Sequence, residues 1–81
     1  MRKEETAKLY NHIRTTLLRQ ISLTGIGYET QFFLNGISLL YHSRMISYND
    51  FTNLNAYIIS IAADRLQCIA YERLKNDNEK V

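Results

Sequence analysis

Behind the hexapeptide ISYNDF, residues 46–51, the chain continues to Val81 without a glycine or a proline. These two residues are the main local breakers of helices, so this stretch constrains the fold more than any other. Ser47 is placed to accept from the amide three residues on, and Asp50 to reach back to the amide of Ser47. Ile46 and Phe51 are spaced to pack as a hydrophobic staple. The pattern predicts a helix that starts at Tyr48 and runs to about Lys75, roughly 28 residues or 42 Å long. A break near Asn53–Asn55 is the alternative, because asparagine side chains compete for backbone hydrogen bonds. The polar tail NDNEKV, residues 76–81, is expected to fray.

On a helical wheel this third helix has more apolar surface than one core can take. Leu54, Ile58, Ile59, Ile61, Ala62, Ala63, Leu66, Ile69, Ala70 and Leu74 span an arc of about 220°, against the roughly 100° stripe that faces a single core. Arg65 falls inside that arc, with Glu72 close in direction. The arginine is expected either to snorkel at the rim or to pair with an acid such as Glu72 or one from another chain. Split at Arg65, the arc serves two neighbours, the rest of the bundle and a second subunit. Ile58, Arg65, Leu66 and Ile69 are therefore the candidate oligomer interface. On the narrow polar side Tyr57, Asp64 and Tyr71 recur every seven residues and Gln67 joins them. Aromatic side chains so aligned supply rigid contact area, which makes Tyr57, Asp64, Gln67 and Tyr71 the candidate protein-binding residues.

The first helix is expected over about Glu4 to Thr24, with Ala7, Tyr10, Ile13, Leu17, Leu18 and Ile21 on its apolar face. Glu4 and Glu5 oppose the positive end of its dipole. Gly25 is placed to close it in a left-handed conformation, with Ile26 packing back on the last turn. The second helix is expected over about Tyr28 to Met45. Phe33, Leu34, Ile37, Leu40, Tyr41 and Met45 form its main face, and Tyr28, Phe32 and Leu39 a narrower second one. Two apolar faces imply two neighbours. Gly36 lies inside at a cost of about 1 kcal/mol relative to alanine, which close packing against another helix would explain.

Eighty-one residues make one domain, and a domain of this size buries only about 60 to 65% of the surface of its unfolded chain. A second copy would therefore help its thin core. The apolar share of 46% and charged share of 22% suit a globular protein. A net charge of +2 is nearly balanced. Cys68 is the only cysteine, so no intramolecular disulfide can form and the chain suits a reducing cytosol. The opening MRKEETAK is too charged for a secretion signal, and the apolar run around Ile58 stops at Asp64 and Arg65, short of a membrane span. The location expected is the cytoplasm.

No catalytic motif is present. A metal site would have to draw on His12, His42 and Cys68, one on each expected helix and without ligand spacing, and the simpler reading is two histidines at or near the surface and a small buried thiol. Gly25-Ile26-Gly27 lacks the preceding strand and third glycine of a dinucleotide loop and the Lys-Ser/Thr pair of a mononucleotide loop. No enzyme, cofactor or metal is expected. For nucleic acid, Lys8, His12 and Arg19 share one polar side of the first helix, and Gln31 and Asn35 offer base-reading groups on the second.

The expected fold is all-α: a three-helix bundle, or a helical hairpin packed on a long C-terminal helix, in a dimer. The expected function is that of a small non-enzymatic regulator or inhibitor acting by protein–protein binding. Small size, missing motifs and composition suggest an accessory protein of a phage or mobile element. The alternative is a helix-turn-helix-like DNA-binding regulator that uses the basic stripe and the polar side of the second helix.

Overall fold

The computed structural model describes residues 1–79, with side chains through Asn76. Three helices make up the fold: α1 over Lys3–Leu18, α2 over Leu23–His42 and α3 over Tyr48–Glu79. Tyr10 meets Tyr57, and the carbonyl of Gln20 meets Arg65, so α1 and α3 run in the same direction. α2 returns between them. The molecule is 54 Å long and 21 Å across its second axis. The long dimension is that of α3, whose 32 residues span about 48 Å. α1, with 16 residues, covers only half of it.

α3 starts where the sequence predicts. The Asp50 N–H donates to Ser47 Oγ at 3.1 Å, and Ile46 and Phe51 on either side of this cap both join the core. There is no break at Asn53–Asn55, because Leu54 between the two asparagines is fully buried and holds that turn in register. The helix also continues through Asn76 to Glu79, where a frayed tail was expected; Lys80 and Val81 lie outside the described residues.

The first two helices end and begin elsewhere than expected. α1 stops at Leu18, and α2 already starts at Leu23, so Gly25 and Gly27 lie inside the first turns of α2 and do not close α1. Ser22 is the reason. Its Oγ accepts from the Gly25 N–H at 3.0 Å, and this N-cap offsets the poor helix propensity of the two glycines. Ile26, expected to pack back on α1's last turn, is one of the fully buried core residues.

Among the described residues the left-handed one is Arg44, at φ 61°, and no glycine has a positive φ. It closes α2 by a Schellman pair, in which Met45 N–H donates to the Leu40 carbonyl at 2.9 Å and Arg44 N–H to that of Tyr41 at 3.0 Å. Met45, expected on the main face of α2, sits in this turn and is exposed. A side chain in the left-handed region costs about 1–2 kcal/mol, part of which glycine gives back as unfolded-state entropy. Arg44→Gly should therefore raise stability by about 0.5–1 kcal/mol in urea denaturation.

The core is one aliphatic cluster with Phe33 as its aromatic member. Ile13 and Leu17 of α1, Ile26, Phe33 and Ile37 of α2, and Leu54, Ile58, Ala62 and Ile69 of α3 are buried together with Ile46. Leu9 and Tyr10 pack at its edge, whereas Ala7, Leu18 and Ile21, also expected on the apolar face of α1, are exposed. At the end of the bundle that holds the α2–α3 turn, Tyr41 stacks on Phe51 with ring centroids 4.6 Å apart, which fixes that turn. No helix among the described residues is long and apolar enough to cross a membrane.

Candidate functional site

Of the four residues expected to bind a protein, Asp64, Gln67 and Tyr71 are exposed on α3. Tyr57 is not on that open strip. Its ring is half-buried and meets Tyr10 edge-on, with centroids 4.9 Å apart and planes at 74°. α1 runs alongside α3 on this side, so the seven-residue line of tyrosines begins in an intramolecular contact and reaches solvent only at Tyr71.

The residues expected at an oligomer interface separate in the same way. Ile58 and Ile69 are buried in the chain's own core, and only Leu66, 41% exposed, remains at the surface. Arg65 neither snorkels nor pairs with Glu72: its Nε–H donates to the backbone carbonyl of Gln20 at 2.8 Å, just past the end of α1. The apolar arc of α3 is thus divided by rotation about the helix. The half centred on Ile58 faces α1 and α2. The other half carries Ile59, Leu66 and Leu74 at the surface, with exposed alanines at 56, 63 and 70 recurring between them every seven residues.

A second uncovered face lies on α2. Tyr28, Phe32 and Leu39, expected to meet a neighbour, are 72%, 63% and 68% exposed. Gly36 stands beside them, and a Cβ built on it would meet nothing within 4 Å, so the close packing expected there does not occur within the chain. Along its α1 side runs an open groove of about 320 Å³, lined by Leu9, His12, Phe32, Gly36, Ile37 and Leu40. Such a lining takes apolar side chains, since His12 is its one polar member.

The residues of the nucleic-acid alternative are all at the surface. Lys8 and His12 are exposed along one side of α1 with Arg19 exposed at its C-cap, and the His12 ring rests edge-on against Phe33 at 5.6 Å. Gln31 and Asn35 are exposed on α2 and engage one another, Gln31 Nε2 donating to Asn35 Oδ1 at 2.9 Å. His42 Nδ1 lies 2.7 Å from the Ser38 carbonyl one turn back. Cys68, expected to be buried, is exposed. No three metal-ligating side chains converge among the described residues.

Among the described residues Tyr10 is the group whose ionisation the fold shifts. Burial raises its phenol pKa above the ordinary value, and the nearby Asp50 and then Tyr57 add to the rise. The fold thus favours the neutral phenol. This contribution is complete below the ordinary phenol value of about 10 and is lost as the pH climbs through the raised folded value. Stability should therefore fall on the alkaline side of about pH 10, and Tyr10→Phe should flatten that fall in denaturation curves taken as a function of pH.

No family model matches the chain, and no match is found among curated proteins or solved structures.

Proposed function

We propose that this chain is a non-enzymatic regulator or inhibitor that acts by binding another protein, and that it does so as a cytoplasmic homodimer. Its small size and lack of catalytic motifs fit an accessory protein of a phage or mobile element. The observation that carries the reading is the pair of uncovered apolar faces on different helices, Tyr28, Phe32 and Leu39 on α2 and Ile59, Leu66 and Leu74 on α3. A twofold dimer uses the same patch on both copies and so covers one face. The second face is then free for a foreign partner.

The α3 stripe suits that role. Ile59 and Leu66 are spaced with Ala56, Ala63 and Ala70 in alternating steps of three and four residues, the pattern that lets one helix lie along another. The partner chemistry this fits is an amphipathic helix. The exposed line of Asp64, Gln67 and Tyr71 borders the stripe and supplies a polar rim.

The test uses the chain as bait in extract of its native host at low and high salt. A protein retained at both, and lost when the bait carries Leu66→Asp, supports the reading. Retention of nucleic acid alone, at low salt only and abolished by charge reversal at Lys8 and Arg19, overturns it in favour of the basic stripe.

A further inference from the structure

Gly36 is a residue that nothing inside the chain explains. Its φ is not positive, and the space where its side chain would stand is open. A glycine in mid-helix gives up about 1 kcal/mol relative to alanine. In return it makes no turn and no close approach within the fold. Around it α2 carries a single charged side chain, Glu29, in 20 residues, while Tyr28, Phe32 and Leu39 stand uncovered. Exposed aromatics in a charge-depleted setting are the composition of an interface core.

We propose that α2 packs against α2 of a second copy, antiparallel, about a twofold axis that passes between Asn35 and Gly36. This assigns the self-interface of the homodimer reading to α2, on which the assignment rests. Phe32 and Leu39 lie equally far from that point on the same side of the helix, so Phe32 of one copy faces Leu39 of the other. Asn35 then faces Gly36, whose missing side chain leaves room for the amide. The Oδ1 of Asn35 already accepts from Gln31, and its amide N–H groups are left to donate across the axis. With no side chain at Gly36, the two helix axes can cross at the close end of the usual range.

The occupant is a second copy because the patch is complementary to itself. A twofold axis sets the same patch of both copies against each other, so a patch of one charge sign would repel its copy. Tyr28, Phe32, Asn35, Gly36 and Leu39 carry no charge. Large side chains meet at the flanks and the smallest residue meets a short amide at the centre. Tyr28, Phe32 and Leu39 are each more than 60% exposed and supply the large apolar contacts. With the backbone at Gly36 and the groove wall of Leu9 and His12, the patch is a narrow one, at the small end of specific interfaces, which start at about 600 Å² per partner. The dimer should accordingly dissociate on dilution.

The test is sedimentation equilibrium on purified protein over a wide concentration range, with two variants and one cross-link. The wild type should pass from one-chain to two-chain mass as concentration rises. Gly36→Glu should stay monomeric with undiminished helical circular dichroism, since glutamate is the better helix former. Leu66→Asp should dimerise as the wild type does. In a Cys68→Ser background, Asn35→Cys should oxidise to a disulfide-linked dimer, because the two Cα atoms flank the axis, and Asp64→Cys should not. A wild type that remains monomeric at every concentration overturns the assignment, and so does a dimer that Leu66→Asp splits and Gly36→Glu leaves intact. Self-association is read on purified protein and partner capture in extract, so the two readings fail separately.

Discussion

Ile58→Ala should cost about 2–5 kcal/mol, the range for truncating a large aliphatic in a packed core that only partly relaxes. Ile58 is 0% exposed and sits between Leu54 and Ala62 on the side of α3 that faces both other helices. A chain of this length has a total stability of about 4–12 kcal/mol, so the variant should lose a large fraction of it and unfold at a much lower urea concentration. Urea denaturation followed by circular dichroism reads the loss directly. Leu66→Ala, which sequence periodicity makes equivalent, should cost only about 1 kcal/mol in dilute protein, because that side chain is 41% exposed. An equal loss at the two sites would show that Leu66 is buried in solution and that the core described above is incomplete.

The elements that could be read from the sequence are those whose chemistry is local. Ser47, Asp50, Ile46 and Phe51 act within five residues of one another, and they place the start of α3 to the residue. The boundary between α1 and α2 was open to misreading because two glycines outweigh one serine by propensity. Ser22, bonded to the Gly25 amide, decides it the other way. Arg44 carries no sign of its left-handed backbone, since arginine at that position is held by the turn around it and not by its own preference.

The surfaces were only half legible for a different reason. Periodicity identifies an apolar arc but not the direction in which the neighbours stand. On α3 a rotation of about 100° separates Ile58, in the core, from Ile59, in solvent. Which of them is covered depends on where α1 and α2 dock, and α1 settles on the Tyr57 side by the contact of Tyr10 with that ring. The second apolar face of α2 was correctly located by its pattern, but its expected neighbour is not in the chain. Gly36 points the same way: the pattern signals a close approach, and the fold leaves the place for one open.

Arg65→Ala should cost about 1.5–3 kcal/mol, the worth of a hydrogen bond from a charged donor whose acceptor is left partly buried. Arg65 belongs to α3, and its Nε–H reaches the carbonyl of Gln20 45 residues earlier. α1 has no basic residue in its last turn and Arg19 as its C-cap, so the guanidinium from α3 adds a second positive charge at the C-terminal dipole end. Nothing near either residue announces this pairing. A helix of 16 residues is marginal by itself in water, so the tie bears on whether α1 stays docked. Because Leu9 and His12 of α1 form one wall of the groove beside Gly36, loosening α1 should weaken the proposed self-association as well. Hydrogen exchange should quicken in the last turn of α1 in Arg65→Ala, while Arg73→Ala on the exposed flank of α3 should change stability by no more than about 0.5 kcal/mol. Arg65→Lys separates the two contributions. It keeps the charge near the end of α1, worth about 0.3–1 kcal/mol, and loses the fixed Nε geometry, so its stability should fall between wild type and alanine. If lysine were as good as arginine, the charge alone would account for the contact; if it were as poor as alanine, the hydrogen bond would.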